Sequence, residues 1–178
     1  MDPYWQSPEQ EASRLERIRK GILLHVKNPS QIMFYVAKSM NDNIVLFEFS
    51  ENSYVKTSWL SLEEKDKNRH ISQGNLDLRS ELNPAEEALF GCSVDVVDNG
   101  RFLFRMNLPD LHERIYEIVM DSNNDPAIIG TISNVQCRIE YAYVQMKKGM
   151  IPDAEYIHLY GRNLLDGNVV KEVIKKDE

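Results

Sequence analysis

The sequence has little cysteine and no long hydrophobic run, and both shortages exclude classes of protein. Only Cys92 and Cys137 occur among 178 residues, and neither belongs to a Cys-x-x-Cys pair. A zinc site that could be recognised from sequence is therefore lacking. Both cysteines fall within apolar strand patterns, so we expect buried thiols and no disulfide. No stretch approaches the roughly 18 apolar residues that a membrane-spanning helix needs, so we expect no membrane partner.

Basic charge is also in short supply. The chain has 21 Lys and Arg against 28 Asp and Glu, which gives a net charge of -7. A nucleic-acid binder usually needs a basic face, so we expect no nucleic-acid partner. A secretory signal has a basic start followed by an apolar run, and the N-terminus lacks this pattern. We therefore expect a cytoplasmic protein.

Sequence motifs for catalysis are missing. There is no nucleophile elbow and no glycine-rich phosphate loop. The four histidines do not form ligand-spaced pairs, so we expect no metal and no cofactor. The segment that starts at Asp121 has oxygen ligands at alternate positions, but Pro126 stands where a calcium loop needs glycine and Ile132 where it needs glutamate. An Asx and proline turn is the preferred interpretation, with a looser calcium site as the alternative.

The N-terminal segment has the pattern of an amphipathic helix. Ser7 is a good N-cap, Pro8 suits the first helical position, and Gln10 completes a capping box. Apolar residues then recur at helical spacing, which predicts a helix over 8–23. We interpret 1–28 as a helical extension and 29–178 as one β-domain.

Strand patterns dominate the rest. They cover 32–38, 44–49, 54–60, 92–97, 101–106, 114–121, 127–133, 135–147, 156–160 and 169–174, with a short helix over 84–90 capped by Asn83. The polar segment 61–80 shows no alternation and is interpreted as a surface connection. The expected fold is mainly β: an antiparallel sandwich or partly closed barrel of nine to ten strands, with an N-terminal helix and one short helix.

Two of these patterns make detailed predictions. A three-residue loop over 98–100, with Gly100 left-handed, aligns 92, 94 and 96 with 106, 104 and 102, and it is preferred because it gives one apolar face. In the long strand 135–147, alternation places Val135, Cys137, Ile139, Tyr141 and Tyr143 on one face.

Two groups of aromatic residues are the candidate binding sites. Tyr156, His158 and Tyr160 share one face of a strand, opposite an aliphatic pair. If that pair faces the core, His158 is either a hydrogen-bonded rim histidine or part of a ligand site. Tyr4 and Trp5 precede the N-terminal helix, and they either staple it to the sheet or bind a protein partner.

Six short segments occur in an order that is characteristic of one family. They are NPSQIMFYV at 28–36, NIVLF at 43–47, SW at 58–59, LFG at 89–91, YIHLYG at 156–161 and GxxVxE at 167–172. In these segments the chain resembles domain-of-unknown-function family 4833, small β-rich proteins with no established activity. The resemblance spans about 29–174. It implies a β-rich fold and brings no catalytic residues.

Two functions agree with these observations. The first, favoured because catalytic signatures are missing, is a non-enzymatic binding or scaffolding module that engages a protein partner or associates with itself. The second is a small-ligand carrier or hydrolase-type enzyme with a pocket between sheets near His158.

Overall fold

The computed structural model describes residues 2–148 and 153–175. Within them the chain forms three α-helices, one 3-10 turn and eleven strands. The helices are α1 (Pro8–His25), α2 (Glu64–Ser72) and α3 (Pro84–Phe90), and the 3-10 turn is Pro29–Gln31. The strands are β1 (Ile32–Lys38), β2 (Asn41–Ser50), β3 (Tyr54–Leu60), β4 (Arg79–Ser80), β5 (Cys92–Val97), β6 (Arg101–Met106), β7 (Tyr116–Met120), β8 (Pro126–Ile132), β9 (Val135–Lys147), β10 (Asp153–Asn163) and β11 (Val169–Lys175).

The strands form one open, curled sheet, a half-barrel rather than two separate layers. Its path is β4-β3-β2-β1-β9-β8-β7-β6-β5, and β10 pairs with both β9 and β11. The mainly β class is confirmed, but a closed sandwich is wrong. An all-antiparallel sheet is also wrong, because β1 runs parallel to β9. Alternation along one strand cannot reveal which strand lies beside it or in which direction.

The curl brings distant strands of the sheet together on its concave face. The ring of Phe47 in β2 lies 5.9 Å from that of Phe104 in β6, and Tyr54 in β3 lies 4.5 Å from Phe102 in β6. A cluster of buried side chains fills the space between them. We call this the inner cluster, and it is the main core of the protein.

A β-bulge divides the long strand β9. Tyr141 pairs with Tyr160 of β10, but the next pair joins Ile139 to Gly161, so Glu140 is an extra residue. The bulge reverses the alternation: Ile139 faces the inner cluster, whereas Tyr143 faces the opposite side of the sheet. The prediction that Cys137, Ile139, Tyr141 and Tyr143 share a face is therefore wrong for the two tyrosines.

Helix α1 covers the convex face of the sheet. Its cap is as predicted, since the Ser7 hydroxyl accepts from the Gln10 amide and the Gln10 side chain accepts from the Ser7 amide. The helix extends two residues beyond the predicted end, to His25. Ile18 and Ile22 pack against strands β1, β2, β3 and β9, and each buried isoleucine contributes roughly 2 kcal/mol.

Two further predictions have opposite outcomes. The register of the β5–β6 hairpin is confirmed, since Cys92, Val94 and Val96 face Met106, Phe104 and Phe102, and Gly100 has a φ of 71°. The surface connection over 61–80 is wrong, because it contains α2. That helix has no side-chain N-cap. Instead, the Asn43 side chain of β2 anchors it by accepting from the Glu63 amide and donating to Asp66.

Candidate functional site

The predicted aromatic face of β10 lies under helix α1. Ile157 and Leu159 are buried in the inner cluster. Tyr156, His158 and Tyr160 therefore point to the convex side, where their rings meet other aromatic side chains. Tyr160 stacks on Tyr141 with ring centroids 4.7 Å apart, and His158 stacks on Tyr156 at 4.8 Å.

Glu11 of α1 joins two of these residues. One carboxylate oxygen lies 2.6 Å from Nδ1 of His158, and the other accepts a hydrogen bond of 2.7 Å from the Tyr160 hydroxyl. Glu11 is only 7% exposed. Burial raises the pKa of Glu11, but the hydrogen bonds to His158 and Tyr160 outweigh it and hold that pKa below its ordinary value. Burial and the bond to Glu11 raise the pKa of Tyr160.

The network links α1 to the sheet, because His158 and Tyr160 of β10 both bind the buried carboxylate of Glu11. This matches the hydrogen-bonded histidine that the sequence analysis considered. The use of Tyr156, His158 and Tyr160 in ligand binding stays a prediction.

The segment before α1 runs along the end of β9. The carbonyl of Tyr4 accepts a 2.8 Å hydrogen bond from the Gln145 side chain, and the Tyr4 ring packs against the inner cluster. Trp5 is 49% exposed. The arrangement of Tyr4 suits a staple, while Trp5 retains a free surface. Partner binding through these two residues stays a prediction.

A cavity opens at one end of the curled sheet, between α3 and the ends of β1 and β9. Its volume is about 330 Å³, which lies within the usual range of small-molecule sites. Most of its lining is apolar. The lining residues are Lys38, Met40, Trp59, Glu86, Leu89, Phe90, Leu108, Pro109, Val144, Met146 and Ala154.

Helix α3 forms one wall of this cavity, and its N-terminus holds it in place. The Asn83 side chain accepts from the Glu86 amide, and the Glu86 carboxylate accepts from the Asn83 amide at 2.9 Å. At the other end of the helix, the Phe90 ring packs edge-on against Trp59, with centroids 5.8 Å apart. The capping box and this aromatic contact set how far α3 stands from the sheet.

Lys38 is the buried cation of the cavity. It is 6% exposed, its ammonium lies 4.9 Å from the centre of the Trp59 ring, and it donates a 3.1 Å hydrogen bond to the Asn41 side chain. No salt bridge joins Lys38 to a carboxylate among the residues that the structure describes. Burial, with the nearby Arg14, lowers the pKa of Lys38 to about 8.

Lys38 is not among the residues predicted from the sequence, although β1 carries one signal for it. Phe34, Val36 and Lys38 alternate along β1, and the first two belong to the inner cluster. A lysine at the next position of that face must either reach water or remain buried in the core. Only the tertiary structure shows that α3 and Trp59 enclose it.

A second group of residues resembles a catalytic triad but has the wrong hydrogen positions for one. Nε2 of His70 lies 3.1 Å from the Ser61 hydroxyl, and Nδ1 lies 2.8 Å from the Asn75 amide nitrogen. That amide also donates to the Arg79 carbonyl, which fixes it as a donor. Nδ1 therefore accepts, and in the neutral ring the proton sits on Nε2, the atom that a general base needs free. The group is a structural link between β3 and α2.

No group of three or more His, Cys, Asp or Glu residues is placed to hold a metal ion within 2–148 and 153–175. The Asp121 carboxylate accepts from the amides of Asn123 and Asp125 and from Arg138. This is the Asx turn that was preferred over a calcium site. The thiols of Cys92 and Cys137 are both free.

No helix in the described part of the chain is long and apolar enough to cross a membrane.

Comparison with known proteins identifies the family. Neither the curated proteins nor the solved structures give a significant match. A family model, described as domain of unknown function (DUF4833), matches residues 34–173, which confirms the resemblance seen in the sequence. That span begins within β1 and ends within β11, so it includes the whole path of the sheet. The chain therefore belongs to the DUF4833 family.

Proposed function

We propose that this protein binds a small, mostly apolar molecule in the cavity between α3 and the sheet, as a carrier or sensor rather than as an enzyme. The observation that supports this is the burial of Lys38 beside a mostly apolar cavity, whose other charged lining residue is Glu86. Sites for small molecules combine such a lining with a few placed polar groups. The proposed site differs from the ligand site predicted at Tyr156, His158 and Tyr160.

The size of the cavity limits the ligand. One water-sized group takes about 30 Å³, so a volume of about 330 Å³ accommodates roughly ten heavy atoms. This is the size of a medium-length aliphatic chain or of one to two aromatic rings. A nucleotide or a folded peptide is too large.

A neutral fluorescent probe tests the proposal. We expect the emission of 1-naphthylamine, a neutral probe whose two rings match the size of the cavity, to shift to shorter wavelength on binding to the wild-type protein. Leu89→Trp, which adds bulk to the α3 wall, should weaken the binding about tenfold or more. Leu76→Trp is the matched control, because Leu76 is 72% exposed and does not line the cavity. Equal binding by all three proteins would place the probe elsewhere and refute the proposal.

A protein partner is the second candidate function, and one surface favours it. Strand β11 pairs only with β10 among the described strands, so no described strand lies along its other edge, and such edges can accept an added strand. The Ser133 hydroxyl donates to the Lys171 carbonyl of this strand. Leu165, at the tip of the β10–β11 hairpin, is 96% exposed, and Val169 and Val173 are also exposed. We propose that an extended segment of a partner adds to this edge.

Crosslinking in native extract tests the partner proposal. A specific crosslinked species should form with the wild-type protein and be lost in the Leu165→Asp, Val169→Lys double variant. Leu23→Asp, which changes an exposed leucine on α1, should leave it unchanged. A species that survives the double variant would contradict strand addition at β11.

A further inference from the structure

We propose that the molecule held in the cavity is a monocarboxylic acid and that its carboxylate pairs with the ammonium of Lys38. This inference rests on the proposed function and names the ligand class of the same site. It depends on the charges around the cavity, on the direction in which they point, and on the apolar surface beyond them.

Within the described residues, the Lys38 ammonium has no opposite charge in direct contact with it. A buried charge is costly unless an opposite charge compensates it. Among the residues that the structure describes, its contacts are one neutral amide oxygen, from Asn41, and the face of the Trp59 ring. Both stabilise a cation, but neither carries a full negative charge. A carboxylate that enters the cavity supplies it.

Glu86 is the carboxylate on the cavity wall, and no ion pair joins it to Lys38 within the described part of the chain. Glu86 binds the Asn83 amide and completes the capping box of α3. Glu63 and Asp66 also act on Lys38 through their charges, but both carboxylates are engaged elsewhere, since Glu63 accepts from the Asp42 amide and Asp66 accepts from the Asn43 side chain. The ammonium therefore remains available to a ligand.

The charges around the cavity favour a ligand with a single negative charge. Lys38 is the one cation that lines the cavity within the described residues. The guanidinium of Arg14, the next nearest positive charge, faces away, since it donates to the Lys38 carbonyl at 2.9 Å and pairs with Asp42 at 3.3 Å. A phosphate monoester would bring up to two negative charges to one cation, beside the Glu86 carboxylate. One positive charge fits one carboxylate.

The apolar part of the cavity wall favours a ligand with an apolar chain. Apart from Lys38 and Glu86, the wall consists of Trp59, Phe90 and aliphatic side chains. Each methylene group that leaves water for such a wall contributes about 0.8 kcal/mol. An acid with about eight to ten carbons fills about 330 Å³. The structure thus assigns the carboxylate end to Lys38 and the chain to the wall formed by α3 and Trp59.

A matched pair of ligands tests this inference by calorimetry. Decanoic acid and decanol share the chain and differ in charge. At pH 7 we expect the wild-type protein to bind the acid at least about tenfold more tightly than the alcohol. Lys38→Met should abolish that preference, because the acid and the alcohol then meet no positive charge in the cavity. Lys171→Met removes the same charge from the exposed outer face and should keep the preference.

A pH series provides a second measurement that needs no variant. Above the pKa of free Lys38, about 8, the ammonium loses its proton. The affinity for decanoic acid should then fall with increasing pH, while the affinity for decanol stays constant. The other charged groups that act on Lys38 are Arg14, Glu63, Glu86 and Asp66, and the comparison with decanol shows whether a change is specific to the charge of the ligand.

The outcomes separate the two proposals. If the naphthylamine probe and decanol bind but the acid shows no preference, the carboxylate assignment is overturned and the proposed function stands. The same holds if the preference persists in Lys38→Met. If neither the probe nor either decane derivative binds, the proposed function fails, and this inference fails with it.

Discussion

The ammonium of Lys38 lies over the face of the Trp59 ring, 4.9 Å from its centre. Lys38 ends β1 and Trp59 belongs to β3, so strand β2 separates them in the sheet. The contact stabilises a cation that burial otherwise disfavours. It also makes Lys38 the residue whose replacement should be most informative about both stability and binding.

We predict that Lys38→Met stabilises the protein at neutral pH, and that this gain shrinks at high pH. Lowering the pKa of Lys38 from 10.5 to about 8 corresponds to on the order of 3 kcal/mol, from which the loss of the Trp59 and Asn41 contacts subtracts about 1 kcal/mol. Between about 8 and 10.5 the unfolded chain binds more protons than the folded protein, so wild-type stability rises there.

Urea unfolding of both proteins from pH 7 to pH 10 measures this effect. The difference between them isolates Lys38, because the tyrosines whose pKa values burial raises are the same in both. A difference that stays constant across the series would mean that the pKa of Lys38 is not lowered.

The second prediction concerns the carboxylate that joins α1 to β10. Glu11→Gln should lower the free energy of unfolding at pH 7 by about 1 to 3 kcal/mol, because it weakens hydrogen bonds to His158 and Tyr160. The pKa of Glu11 is lowered in the folded state. Its contribution is therefore fully present above the ordinary value near 4.5 and is lost as the pH falls further.

Glu9→Gln is the matched control, since it removes the same charge from an exposed position on the same helix. Chemical denaturation at pH 7 and at pH 3.5 distinguishes the two variants. Glu11→Gln should approach wild-type stability at the lower pH, whereas Glu9→Gln should differ little from wild type at either. Equal effects of the two substitutions at pH 7 would argue against the network as an anchor of α1.

Local patterns predicted the parts of the fold that local chemistry determines. The β5–β6 register followed from a left-handed glycine and from one apolar face that the two strands share. Helix α3 followed from Asn83 and Pro84. The bulge at Glu140 did not, because nothing in the sequence of β9 shows where its partner shifts. Helix α2 was missed because Asn43, which anchors it, belongs to strand β2 and not to the segment that forms the helix.

The candidate site depends on tertiary structure to a greater degree. Lys38 and Trp59 are 21 positions apart in the sequence, and α3 follows later still. Each of these elements was predicted within a few residues, but their meeting at one end of the sheet was not. Sequence alternation places Lys38 on the inner face of β1, and only the curl of the sheet turns that position into a cavity wall.

The third prediction tests the bulge. At Gly161 a Cβ atom would lie 2.5 Å from the Arg138 carbonyl oxygen and 2.7 Å from Ile132. Because the Arg138 backbone cannot move aside without strain, Gly161→Ala should lower the free energy of unfolding by about 3 kcal/mol. At Gly167 there is open space and a φ of +73°, so Gly167→Ala should cost only about 1 kcal/mol. Thermal unfolding of both variants compares them, and equal losses would mean that the close approach at Gly161 does not matter.

The last prediction concerns the hydrogen positions in the group of Ser61, His70 and Asn75. Because Asn75 donates to both the Arg79 carbonyl and Nδ1 of His70, neutral His70 should carry its proton on Nε2 and donate to Ser61. Long-range proton–nitrogen NMR of the histidine ring distinguishes the two tautomers directly. Asn75→Asp should move the proton to Nδ1, since a carboxylate only accepts, and this leaves Nε2 free to act as a base toward Ser61. If the wild-type ring already has its proton on Nδ1, the structural role fails and a test of Ser61 as a nucleophile follows.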